Sequence, residues 1–160
     1  MDMTKNTVFE FAEEQKFLVS GIEVRTTNEN GQARRDIGDL WTRFMSEGVR
    51  KKIPGKLSED VYCVYTDYET DHTGWYTAVI GCRVSEPEIN TGWFTALVPA
   101  GIFKVYQPKG KFPECIADTW MQIWEHGAWR NYLADYDLYK AGAKSFEETE
   151  TEIHIGVNRD

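Results

Sequence analysis

The chain has 160 residues, a length suited to one domain, and its 6 Trp, 8 Tyr and 8 Phe supply ample aromatic mass for a core. A formal net charge of -8 argues against a nucleic-acid binder, which needs a basic footprint to release phosphate counterions, and is compatible with a cationic ligand. No apolar run approaches the roughly 20 residues of a membrane span, and the N-terminus lacks the basic start and apolar core of a signal peptide, so a reducing cytoplasm is the expected location.

In chain order, residues 1–14 read as a lead-in, and residues 17–26, "FLVSGIEVRT", as a strand. Ile37, Leu40, Trp41, Phe44, Met45 and Val49 recur at helical spacing, predicting a helix over 36–53 with Asp36 as N-cap and Pro54 as stop. Two strands follow, 61–68 and 75–84, joined by a turn through "TDHTG". Residues 94–107 read as a strand bent at "PAG", 99–101. A helix from Pro113 to about Gly127 carries Ile116, Trp120, Ile123 and Trp124 on one face, and strands follow near 135–140 and 151–158.

The order β-α-β-β thus occurs twice, over about 17–85 and 94–158. Short matches support two copies of one unit: "YCVY" at 62–65 with "YDLY" at 136–139, "GIEV" with "GIFKV", Trp41 with Trp120, and "VIG" at 79–81 with "HIG" at 154–156. The fold class expected is α+β: a pseudo-two-fold tandem repeat with an antiparallel sheet, helices on one side and a ligand cleft on the other. Residues 15–160 form the domain on this reading.

Alternation along the strands sorts the candidate site residues. If the aliphatic Val64 and Leu138 face the helices, then Cys63, Tyr65, Asp137 and Tyr139 share the helix-free face. A carboxylate ringed by aromatics suits a bulky organic cation, the charge supplied by the acid and the area by the rings. On the residues alone, a structural role for Asp137, paired with Lys140 or Lys144, is the stronger reading. Trp41, Trp120 and Trp124 read equally well as core. The scattered Cys63, Cys82 and Cys115, and His72, His126 and His154, have no metal-ligand spacing, and no phosphate-binding glycine motif occurs, so neither metal nor cofactor is expected.

Three stretches resemble the GyrI-like small-molecule-binding domain, the effector-binding domain of bacterial AraC-type activators and multidrug-sensing transcription regulators. These are "VYCVYTDYETDHTGWYTAVIG" at 61–81, "LVPAGIFKVY" at 97–106, and the block "DTWMQIW…NYLADYDLYK…TEIHIGV". The resemblance covers roughly 15–158. It implies an acid at the ligand cleft at the position of Asp137, where the family has Glu. The side chain here is one methylene shorter and sets the charge deeper. It further implies a cleft tryptophan at Trp120 or Trp124, cleft-strand aromatics at Tyr65 and Tyr139, and a second acid at Glu147.

No helix-turn-helix fits upstream of residue 17, so the resemblance is to the stand-alone form without its own DNA reader. The expectation is a monomer or weak homodimer that binds a lipophilic, cationic small molecule, with no direct nucleic-acid or membrane partner. The alternatives are a small hydrolase using Asp137 with Tyr65 or Tyr139 on an electrophile, and a modulator of a protein target. Binding is favoured over catalysis.

Overall fold

The computed structural model describes residues 8–86, 92–126, 129–145 and 148–158. Eight strands form one antiparallel sheet: β1 (Val8–Glu14), β2 (Phe17–Thr27), β3 (Val61–Thr66), β4 (Trp75–Val84), β5 (Phe94–Val98), β6 (Gly101–Gln107), β7 (Arg130–Tyr139) and β8 (Thr151–Val157). Their spatial order is β1-β6-β8-β7-β3-β4-β2-β5. Helices α1 (Gln32–Ser46), α2 (Val49–Lys52) and α3 (Glu114–His126) complete the α+β fold. The element order β-α-β-β occurs as β2-α1-β3-β4 and as β6-α3-β7-β8. From the central β3–β7 pair outward, both halves run in the same order, β3-β4-β2 and β7-β8-β6. Among the described residues no helix is long and apolar enough to cross a membrane.

Several boundaries differ from the sequence expectation. The first helix begins at Gln32, and Asp36 lies inside it, accepting from the Thr26 hydroxyl (2.8 Å) and the Gln32 amide (3.1 Å). Gly48, at φ 59, breaks the helical run into α1 and α2, because only a residue without Cβ takes the left-handed conformation at little cost. The bent strand is two strands: β5 pairs with β2, and β6 with β1 and β8. The lead-in contains β1, an edge strand paired with β6 from Val8↔Gln107 to Glu14↔Gly101. Glu14 fastens it, accepting from the Tyr136 hydroxyl and lying 2.7 Å from Nδ1 of His154.

The face assignment is inverted. Helix α1 packs Leu40 and Phe44 against Ile22, Cys63 and Ile80, with Tyr65 and Tyr139 at the margin. Helix α3 packs Ile123 and Trp120 against Ile153 and Ile155, which lie opposite Asp137 and Asp135 in the β7–β8 register. Asp137, Tyr139, Cys63 and Tyr65 therefore share the face that carries the helices. Val64, Tyr62, Tyr136 and Val79 point to the other side, into a second core with Phe17, Ala96, Val98, Phe103 and Val105. That core exists because the sheet twists and folds over itself, bringing β5 against β3 and β7. The cleft is accordingly not on a helix-free face. Strands β3 and β4 are buried almost throughout on both sides, so their apolar residues cannot say which side holds the helices.

Where β2 crosses β4, Gly21 pairs with Gly81. A Cβ on either would lie within 2.0 Å of backbone oxygen on the facing strand, so this contact admits only glycine.

Candidate ligand-binding site

Strands β3 and β7 lie side by side with Cys63 opposite Asp137 and Tyr65 opposite Asp135. This register brings the two tetrapeptides "YCVY" and "YDLY" together. Their last tyrosines then meet the tryptophan of the other unit's helix. Trp41 of α1 packs edge-on to Tyr139 at 5.0 Å, and Trp120 of α3 packs edge-on to Tyr65 at 5.2 Å.

Asp137 is buried, with 1% of its surface exposed. Its Oδ2 accepts from the Tyr65 hydroxyl at 2.6 Å and, more distantly, from Tyr139 at 3.4 Å; Oδ1 accepts from the Trp120 indole N–H at 2.9 Å. All three donors are neutral, and no basic side chain pairs with this carboxylate among the described residues. Burial pushes its pKa up to about 7, against the opposing pull of the Tyr65, Trp120 and Tyr139 hydrogen bonds. Burial, reinforced by the Asp137 charge, holds the Tyr65 and Tyr139 phenols well above their ordinary range, so they remain donors. The Cys63 thiol is raised too, by burial first and then by Asp137, which makes it inert rather than nucleophilic.

Asp135 lies two residues earlier on the same face and has the opposite surroundings. It accepts from Nη2 of Arg130 at 2.7 Å, from the Gly156 backbone N–H at 2.8 Å and from the Tyr68 hydroxyl. This ion pair is closed off, with side-chain exposures of 3% for Arg130 and 0% for Asp135. A register shift in β7 between Arg130 and Asp135, with Tyr132 at φ 55, turns the Arg130 side chain back toward the sheet. The Asp135 charge is thus neutralised locally, while that of Asp137 is not.

A cavity of about 790 Å³ opens between α1 and α3 above this region. Ile37 and Gly38 of α1 form one wall, and Trp120 and Trp124 of α3 the other. Tyr65, Tyr68 and Tyr76 belong to the sheet and the segment after β3; Tyr76 lies 6.1 Å from Tyr65 and 5.6 Å from Tyr68, centroid to centroid. Asn28 accepts from the Tyr76 hydroxyl at 2.6 Å, and the His72 ring stacks parallel to Trp124.

Of the residues singled out from the sequence, Tyr65, Trp120 and Trp124 line this cavity. Asp137, Tyr139 and Cys63 do not line it: Asp137 lies behind Tyr65 and Trp120, to which it is hydrogen-bonded, and Tyr139 packs against Trp41. Glu147 lies outside the described residues. Sequence reasoning missed Tyr68, Tyr76, Arg34 and Arg130 as lining residues. Tyr68 and Tyr76 fall inside the 61–81 stretch and were legible there as aromatics spaced around a turn. Arg130 carries no such signal, because its position depends on the β7 irregularity.

The model of the Cass2 family, integron-associated effector binding protein, matches residues 10–157. An integron cassette protein from Vibrio cholerae, VCH_CASS2, is 28% identical, with a TM-score of 0.72 over 94% of this chain and 95% of that one. SAV2435, solved bound to tetraphenylphosphonium, has a TM-score of 0.77 at 17% identity, over 95% of this chain and 94% of that one. The EcmrR C-terminal domain follows at 0.54 and 15%, over 96% and 99%. No curated protein sequence matches the chain. The match across nearly the whole chain, on a fold shared with GyrI-like effector-binding domains, shows that this protein belongs to the Cass2 family of integron-associated effector binding proteins.

Proposed function

We propose that the cavity binds a lipophilic organic cation, and that this domain acts as an effector- or drug-binding module. The observation that carries this reading is the contrast between the two buried carboxylates of β7. Asp135 has its arginine; Asp137 has only neutral donors and stands directly behind the Tyr65–Trp120 wall. A cation lying on those rings gains their quadrupole attraction and the field of a charge that water does not screen. Asp137 on this account acts through Trp120 and Tyr65, polarising the indole N–H and the phenol, rather than by direct contact. The rings supply most of the area, and a cavity of this volume suits a drug-sized molecule. The tetraphenylphosphonium bound to SAV2435, a protein of the same fold, is a ligand of this chemistry.

The test is a thermal-shift panel of lipophilic cations against neutral compounds of matched size. A ligand selective for the native state at a hundred times its Kd adds about 2.7 kcal/mol of stability. Cations should raise the melting temperature clearly more than their neutral counterparts. Equal shifts for both classes would reduce the site to an apolar cavity in which Asp137 has no part.

A further inference from the structure

The ionisable groups that line the cavity do not match a simple cation site. The protein carries a net charge of -8, yet the cavity is lined by Arg34, Arg35 and Arg130, with Glu125 as the one carboxylate among its lining residues. Arg34 and Arg35 are exposed in the first turn of α1, at the cavity's edge. Arg35 donates to the Asn30 carbonyl at 3.2 Å; Arg34 has no carboxylate in ion-pair range among the described residues.

Arg130 is the more pointed case. Its Nη2 is committed to Asp135, but Nε and Nη1 are buried and have no hydrogen-bond acceptor among the described residues. The guanidinium is instead boxed by rings, 4.4 Å from the centroid of Tyr132 and 5.8 Å from those of Tyr68 and Trp120. Ring faces attract the charge without meeting the N–H groups' full demand for an acceptor. Two donors left this way in a ligand cavity mark a place for an oxygen acceptor.

We infer that the preferred ligand is an aromatic zwitterion, with its cationic centre on the Tyr65–Trp120 wall and a carboxylate or similar anion toward the arginines. This rests on the cation reading of the same cavity and adds the second charge. A bare cation passes Arg34 and Arg35 on the way to one screened carboxylate, and the Asp135 charge is already taken by Arg130; an amphoteric molecule meets complementary charge at both ends. The two poles also explain why a strongly acidic protein keeps arginines around an apolar cavity.

The probes are carboxyalkyl triphenylphosphonium salts of graded chain length and their methyl esters, titrated by quenching of tryptophan fluorescence. Each ester keeps the cation and removes the anion. At the best chain length the acid should bind about tenfold more tightly than its ester, as expected for one charge-assisted contact. The acid-to-ester ratio should fall toward one in the double variant Arg34→Gln, Arg35→Gln, whose positions are exposed and safe for folding. Arg130→Lys, which keeps a charge for Asp135 but removes the two unpartnered guanidinium nitrogens, should also lower the ratio. Esters that bind as well as the acids at every length overturn the inference. So does an acid preference that survives in all the variants, because the anion is then held elsewhere. If neither acids nor esters bind, the cation reading fails and takes this one with it; failure of the carboxylate preference alone leaves the cation reading standing.

Discussion

The Tyr65 hydroxyl donates a 2.6 Å hydrogen bond to Asp137, 72 positions further along the chain. The bond joins the paired strands β3 and β7 and fixes a buried carboxylate that has no cationic partner among the described residues. Its ionisation is therefore linked to folding. In the unfolded chain Asp137 ionises near the ordinary value of 3.8; in the native protein it ionises near 7. Between those values the native state holds the extra proton. This group's contribution to stability is full below the lower value and declines as pH rises, by up to about 1.4 kcal/mol per pH unit, levelling off above the native value. Urea denaturation between pH 4 and 8 should show that slope, and Asp137→Asn should flatten it while leaving the fold intact. An unchanged slope in the variant would assign the linkage to another group.

The core on the face opposite the helices is a real core, and truncation there should behave accordingly. Phe103, 2% exposed and packed with Tyr136, is a test. Phe103→Ala should cost about 3–5 kcal/mol in denaturation experiments. Met45, which helical spacing places with the apolar residues of α1, is 72% exposed, and Met45→Ala should change stability by no more than about 0.5 kcal/mol. Comparable effects at the two positions would contradict the assignment of faces.

The doubled β-α-β-β order was legible because turns and helical periodicity are local, and because "YCVY" and "YDLY" occupy neighbouring strands. Which face holds the helices was not legible. Val64 and Leu138 are aliphatic and Cys63 and Tyr65 are not, yet all four are wholly or partly buried, so alternation carried no contrast between core and solvent. Strand β1 was hidden for a related reason. Its phenylalanines, Phe9 and Phe11, point outward at 51% and 61% exposure, while Ala12 faces the core, the reverse of the usual pattern. Trp120 and Trp124 were recognised as a helix stripe, but their division between packing on the sheet and lining the cavity depends on how α3 is tilted, which no spacing encodes.

The Arg130–Asp135 pair should show the non-additivity of a buried ion pair. Arg130→Met strands the Asp135 charge and should cost about 3–5 kcal/mol. Asp135→Asn strands the guanidinium instead. The double variant should be less destabilised than the sum of the single changes, because neither charge is then left buried alone. A double-mutant cycle by urea denaturation measures this. Strict additivity would mean that the two groups do not interact through the 2.7 Å contact seen here.

The most direct test of the account is a calorimetric titration with tetraphenylphosphonium near pH 6.5, in two buffers of different ionisation enthalpy, for the native protein and Asp137→Asn. A cation at the Tyr65–Trp120 wall favours the ionised form of Asp137. Binding to the native protein should therefore release a proton, and affinity should rise with pH until it levels off above about 7. Asp137→Asn should bind about 1–3 kcal/mol more weakly and release no proton. Tetraphenylphosphonium that binds both proteins equally, with the same apparent enthalpy in both buffers, would contradict the claim that Asp137 supplies the charge a cation reads.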